Sequence, residues 1–280
     1  MVYLLLYSHH LLLAYQNFGY LLKQGTGLSF NKILTKIGGI SLFAFRFFRQ
    51  VVSPPFEFKE AVKQTYEIGV RSFSLVAVVA IVMGAVLTMQ SRPTMIKFGA
   101  EAFVPAMVAV SVLRELCPVI ISVIVAGRVA AGIGAELGSM RVTEQIDAME
   151  VAALNPFNYL VVTRVVACMI ALPLLTIYGD VIAMIGSAIV QQVEAGMSFR
   201  LFYNTVMNSI NFVDFVPGML KTIIFGFIIG VVGCYEGFNS DGGTEGVGRS
   251  ATDAVVISSL LILIMDMLVV KVTVLLFDVA

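Results

Sequence analysis

The sequence predicts an all-α integral membrane protein with five transmembrane helices, and three observations carry that reading. Of its 280 residues 59% are hydrophobic and 13% charged, against about 25% charged in soluble domains, and mean hydropathy is +0.94. Five apolar runs reach the roughly 20 residues that cross a bilayer core about 30 Å thick. The Lys and Arg residues fall unevenly about those runs. With 18 basic and 18 acidic residues the net charge is zero, so bulk charge makes no case for a nucleic-acid partner.

Taken in chain order, the first stretch, "MVYLLLYSHHLLLAYQNFGYLL" at 1–22, has the length of a span or signal peptide. It lacks a basic n-region and contains His9, His10, Gln16 and Asn17, so it reads as a helix lying at the interface. Residues 31–52, "NKILTKIGGISLFAFRFFRQVV", mix Lys32, Lys36, Arg46 and Arg49 with Phe, Ile and Leu. That is the composition of a basic amphipathic helix on an anionic leaflet, ended by Pro54 and Pro55. These stretches make an N-terminal interfacial region, 1–65, ahead of a membrane domain at 66–280.

The predicted spans follow at about 72–91, 102–127, 165–193, 215–235 and 254–277. The first is uncharged; the others carry Arg114 and Glu115, then Asp180, then Lys221, then Asp266 and Lys271. Eight Lys or Arg precede the first span, and by parity Arg128, Arg141, Arg164 and Arg249 share its side, against Arg92, Lys97 and Arg200 opposite. The positive-inside rule then places the N-terminus in the cytoplasm.

Each ionisable group at a helix centre costs about 2.5–3.5 kcal/mol on insertion scales and so needs a partner or a function. Arg114 and Glu115 point about 100° apart, so each is expected to meet a group from another span or a second copy. Pro118 is expected to bend the helix one turn on. Asp266 is expected to answer Arg114 or Lys221, Asp180 to bond a neighbouring backbone group or Tyr178 in a structural role, and Lys271 to snorkel. Cys117, Cys168 and Cys234 match no disulfide or metal spacing and read as buried free thiols.

The interruption at 126–151, "AGRVAAGIGAELGSMRVTEQIDAMEV", has two halves. Gly127, Ala130, Ala131, Gly132, Gly134, Ala135 and Gly138 remove bulk and predict close backbone approach. Thr143 then reads as the N-cap of a short helix with acids in its first turn. Ile146, Met149 and Ala153 recur on one face, Glu144, Asp147 and Glu150 on another, and Asn155–Pro156 closes the segment. Such a cytoplasmic helix either lies on the membrane surface or passes force to a partner.

Several chemistries are missing from the sequence. No GxxxxGK[ST] phosphate loop occurs; "GIGAELG" at 132–138 and "GGTEGVG" at 242–248 lack its lysine. No HExxH or GxSxG occurs, so no catalytic or metal set is expected.

The run "LRELCPVIISVIVAGRVAAGIGAELGSMRVTEQIDAMEVAALNPFNYLVVTRVVACMIALPLL" at 113–175 resembles the signature region of the MlaE (YrbE) family, the permease subunits of lipid-transporting ABC systems. "YEIGVRSFSLVAVVAIVMGAVLTMQ" at 66–90 and "GTEGVGRSATDAVVISSLLILIMD" at 243–266 are similar to the family's first span and to its last cytoplasmic loop and final span. The likeness covers about 50–280. It implies a homodimer of five-span subunits bound to two ABC ATPase subunits and a periplasmic MCE-domain protein. Such a complex moves phospholipid or a similar lipid between a bacterial inner membrane and that MCE protein, and the absence of a transit peptide also favours a bacterium. ATP and Mg would be bound by the ATPase, with no cofactor in this chain.

The same resemblance makes about 136–151 a cytoplasmic coupling helix that docks on the ATPase, with Glu136, Arg141, Glu144, Asp147 and Glu150 as coupling candidates. It makes Arg114, Glu115, Lys221 and Asp266 lipid-pocket candidates. Met83, Met89, Met107 and Met265 are expected to face inward, as an adaptable surface for lipid tails or as plain core. Two competing readings remain: a non-transporting membrane anchor for an MCE complex, and a proton-coupled secondary transporter working through Glu115, Asp180 and Asp266.

Overall fold

An apolar run in lipid has no hydrogen-bond partner for its backbone but itself. In the computed structural model, which describes residues 34–52 and 57–277, every regular element is accordingly a helix. The chain divides into two units, residues 1–48 and 49–280. Helix α1 (34–51) lies within the basic amphipathic stretch, with Leu34, Ile37, Leu42 and Phe45 exposed and Phe47 buried. The interfacial helix expected at 1–22, and Pro54 and Pro55, fall outside the described residues.

In the second unit five helical segments are long and apolar enough to cross a membrane, as expected. The first is α2 (Phe58–Lys97). The second joins α3 (Val104–Ser111) to α4 (Cys117–Val142) through a π-turn at Val112–Leu116. A short helix, α5 (Gln145–Val151), precedes the third span, which is a π-turn at Phe157–Val162 continued by α6 (Thr163–Ala195). After α7 (Phe199–Ser209) come α8 (Phe212–Phe238) and α9 (Gly243–Phe277). Each predicted run lies inside its helix, and the helices outrun the apolar cores. Helix α2 has 40 residues, about 60 Å at 1.5 Å per residue, because helix formers in "FKEAVKQTYE" continue it beyond the uncharged part.

Helix α2 packs along α6, α6 on α8, α8 on α4, and α9 on both α4 and α8. Phe73 stacks on Tyr178 with ring centres 3.9 Å apart, and fifteen residues further along α2 the Thr88 hydroxyl donates to Ser187 Oγ at 2.6 Å. Helices α2 and α6 therefore run the same way. The bundle thus has an α5 end and an α7 end. At the latter Phe202 and Val206 of α7 bury against Ala109 and Ala188, and Arg92 bridges Glu101 at 2.8 Å and Glu194 at 3.6 Å.

Without a water-driven hydrophobic force between helices, close backbone contact holds such a bundle together. A Cβ on Gly84 would strike the Ala183 carbonyl, and one on Gly186 the Ile81 carbonyl, so these two glycines set how near α2 and α6 can lie. The small-residue stretch of α4 behaves less uniformly than expected. Gly134 meets Ser250 and Ala251 of α9, and Gly138 meets Ser240, but nothing lies within 4 Å of a Cβ built on Gly127 or Gly132. Gly132 is about 200° around the helix from Gly134, and Gly127 lies two turns away. The methionine expectation also needs correction: Met89 is exposed, and Met83, Met107 and Met265 are half-buried. The three cysteines are buried and free, as expected.

Gly84→Ala and Gly186→Ala should each cost about 1–3 kcal/mol by forcing α2 from α6. Gly127→Ala, with open space around it, should leave stability within about 0.5 kcal/mol. Thermal unfolding of the purified chain in mild detergent checks the contrast.

Candidate functional site

A break in the second span builds the polar centre of the bundle. Pro118 has no N–H to return to the carbonyl of Arg114, and ahead of it Val112–Leu116 widens into a π-turn, a feature frequent at functional sites. Arg114 and Glu115 sit in that turn. The Arg114 guanidinium donates to Asp214 at the start of α8. Lys221, two turns along α8, donates to Glu115 Oε2 at 2.5 Å. Its Nζ also lies 3.4 Å from the Arg114 carbonyl oxygen and 3.1 Å from Asp266 Oδ1 of α9. The last contact is an ion pair without hydrogen-bond geometry.

The sequence-predicted lipid-pocket set Arg114, Glu115, Lys221 and Asp266 is thus one cluster, drawn from three spans. Asp266 pairs with Lys221, and Arg114 is answered elsewhere, by Asp214. Burial divides the cluster. Lys221 and Asp214 are each only 1% exposed, whereas the Arg114 and Glu115 side chains are 38% and 43% exposed. Each pair thus has a buried anchor and an open tip, and the open tips are neighbours in sequence. Asp214 escaped the sequence reading. Its signal was present: Asn211 and Asp214 have capping-box spacing, and Asp214 Oδ2 accepts the Asn211 N–H at 2.9 Å.

Asp180 stands apart from this cluster. It is buried at 6% exposure, beside the Cys117 thiol, with Oδ1 unpartnered. The expected Tyr178 partner is instead stacked on Phe73. Lys271 is exposed on α9. Between α2 and α6 an apolar groove of about 550 Å³ is lined by Phe73, Leu174, Leu175 and Tyr178 among others.

At the other end of α4, the expected N-cap is overturned. The helix runs on to Val142, so the Thr143 hydroxyl folds back to donate to Ser139 O at 2.8 Å. Glu144, in the left-handed region at φ 58°, is what separates α4 from α5. Ala153, placed on the apolar face by its spacing, lies past the helix end at φ 60°. Ile146 is buried, while Glu144, Asp147 and Glu150 are exposed.

The coupling candidates divide among different contacts. Arg141 donates to Asp147 Oδ1 at 2.5 Å, clamping α5 to the end of α4. Glu136 accepts from Arg164 at 2.7 Å, and Arg164, 3% exposed, also donates to Leu160 O at 3.0 Å. Arg164, counted from sequence as a loop charge, is in fact a buried tie between α4 and α6. Asn155 begins the third span by accepting from the Phe157 and Asn158 N–H groups at 3.1 and 3.3 Å. Among the described residues no group of three His, Cys, Asp or Glu is placed to hold a metal ion.

Five apolar crossing helices around an ion-paired centre define a multi-pass membrane protein of transporter type. More particularly, the chain belongs to the MlaE permease family: the family described as Permease MlaE matches residues 61–272. A probable ABC transporter permease protein of Rickettsia felis is 38% identical over 238 residues, 85% of this chain and 92% of that one. A probable ABC transporter permease protein of Synechocystis is 36% identical over 206 residues, 74% of this chain and 78% of that one. The chloroplastic TRIGALACTOSYLDIACYLGLYCEROL 1 protein of Arabidopsis thaliana is 32% identical over 217 residues, 78% of this chain and 62% of that protein.

Arg114→Leu strands buried Asp214 with only its Asn211 contact and should destabilise the chain by about 3 kcal/mol. Asp214→Leu should cost less, because the half-exposed Arg114 can reach polar surroundings. Adding Asp214→Leu to Arg114→Leu should recover most of the loss. Denaturant midpoints in detergent for the three variants give the coupling energy directly.

Proposed function

We propose that this ABC transporter permease moves phospholipid or a similar lipid between a bacterial inner membrane and a periplasmic MCE-domain protein. It works as a homodimer with two separate ATPase subunits, its N-terminus in the cytoplasm. The observation that carries the reading is the cluster of Arg114, Glu115, Lys221, Asp214 and Asp266. Its buried anchors hold two charged tips half-open inside an apolar bundle, which suits a molecule with a charged head and greasy tails. The name of the Arabidopsis relative contains a diacylglycerol lipid, and that supports the same class of cargo.

A second copy suits the face beside the cluster. Helix α9 leaves Leu260, Leu263, Ile264 and Met267 exposed around half-buried Asp266, so a partner helix would cover apolar surface and close the lipid site together. The α5 segment is the coupling element. Its buried Ile146 and the Arg141–Asp147 clamp fix it rigidly to α4, leaving Glu144 and Glu150 outward for an ATPase surface. ATP and Mg belong to that partner, and this chain contributes shape and charge. The excess of basic residues at the α5 end supports placing that end in the cytoplasm.

Purification of the tagged chain in mild detergent, with identification of co-purifying subunits and extracted lipids, tests the reading as a whole. An ATPase and lipid found together support it. Lipid with no ATPase returns the anchor or the proton-coupled transporter. Asp147→Lys, which sets a cation against Arg141, should lower lipid-stimulated ATP hydrolysis about tenfold while thermal unfolding of the membrane domain is unchanged. Full hydrolysis by that variant would remove α5 from the coupling path.

A further inference from the structure

The bundle carries a second polar cavity, far from the ion cluster. A cleft of about 320 Å³ opens between α2 and α4 toward the α5 end, lined by Gln64, Glu67, Arg71, Arg128, Gly132 and Glu136 among others. Two arginines share it, near enough for their charges to act on each other. They stand at one height, because Arg128 Nη1 donates to Ser72 Oγ, next to Arg71, at 2.8 Å. Among the described residues neither arginine forms an ion pair, although two carboxylates line the same cleft. One of those, Glu136, is already answered by buried Arg164. The cleft therefore holds an excess of positive charge that the protein leaves unneutralised.

Its level in the membrane follows from the sequence. Arg71 directly precedes the uncharged run 72–91, and Arg128 directly follows the run 102–127. Both therefore stand where hydrocarbon gives way to headgroups. The space is made by missing side chains, since a Cβ on Gly132 would meet nothing within 4 Å. Guanidinium forks of this kind match phosphate oxygens two at a time.

We propose that this cleft is a second lipid site, which holds the phosphate of a phospholipid from the leaflet at the α5 end. It rests on the reading of the chain as a lipid permease and adds to it a station distinct from the ion cluster. Arg114 and Arg128 are fourteen residues apart, about 21 Å along the helix, so the cleft lies well apart from the ion cluster, at the α5 end. Glu67, which also lines the cleft, suits an amine-bearing headgroup.

The test uses the full purified chain in detergent, titrated with short-chain phosphatidylethanolamine and read by native mass spectrometry. Arg71→Gln with Arg128→Gln should weaken one class of bound lipid at least tenfold, as loss of charge-assisted bonds predicts. Gly132→Leu, whose Cβ enters open space and whose side chain takes up cleft volume, should do the same, with thermal unfolding as the check on folding. Loss of binding with Lys221→Met but not with these variants would overturn the second site and leave the permease reading standing. Loss with these variants but not with Lys221→Met would keep the cleft and sink the role given to the ion cluster. Displacement by millimolar inorganic phosphate would make it a free-anion site, and equal binding of a short-chain diacylglycerol would show that the phosphate is not recognised. Either result ends the proposal.

Discussion

The arrangement depends on burying the ammonium group of Lys221. A charge in an apolar bundle is tolerated only when opposite charge surrounds it, and Lys221 meets that condition with Glu115 on one side and Asp266 on the other. Those contacts fix the relative position of three spans at once: the π-turn of the second, the start of α8, and the middle of α9. The π-turn is part of the same requirement. By opening the helix ahead of Pro118 it frees the Arg114 carbonyl to face Lys221 and turns Arg114 itself toward Asp214. Pro118 leaves that carbonyl without its helical donor, and Lys221 takes the place of the missing N–H.

Helix α4 carries the consequences from one end of the molecule to the other. The π-turn just ahead of it holds the open tips of the ion cluster, and α4 packs on α9 through Gly134. Near its far end Glu136 is tied to Arg164 of α6, and its last turn is clamped to α5 through Arg141. Short charged contacts thus join α5 to α4 and α4 to α6. Under the proposed function, α4 would be the element that links movement at α5 to a change of shape at the ion cluster.

The parts of this design legible in the sequence are those governed by period and length. Twenty apolar residues specify a span whatever surrounds it, so all five were found, but the helix ends were not, because charged helix formers prolong a helix invisibly. The angular argument for Arg114 and Glu115 gave the right consequence, partners on other helices, since it rests on helix geometry alone. It left open which acid answered which base. Asp214 was passed over because an acid in the first turn of a helix has an ordinary explanation, and nothing local shows that its other oxygen faces an arginine a hundred residues away. Thr143 misled for the opposite reason: its N-cap chemistry was sound, but the preceding helix did not stop where the small residues did. Arg164 sits at a span edge, where exposed and buried arginines look alike in one dimension.

The two arginine-bearing levels of the second span, Arg114 and Arg128, sharpen what transport would ask of this bundle. A lipid headgroup cannot cross the apolar middle cheaply, and a permease that offered polar contacts at one level would only bind it. Here charged side chains stand at two levels of the second span, Arg114 with Glu115 and then Arg128, and none occurs between them, from Cys117 to Gly127. The intervening surface is apolar or small, so under the proposed function a headgroup leaving one level would meet no charge before the other. Such a step would need a conformational change, and α5, fixed to the end of α4, is placed to supply it. The separation of the charges thus gives a physical reason for a chain without its own phosphate loop to depend on an external source of work.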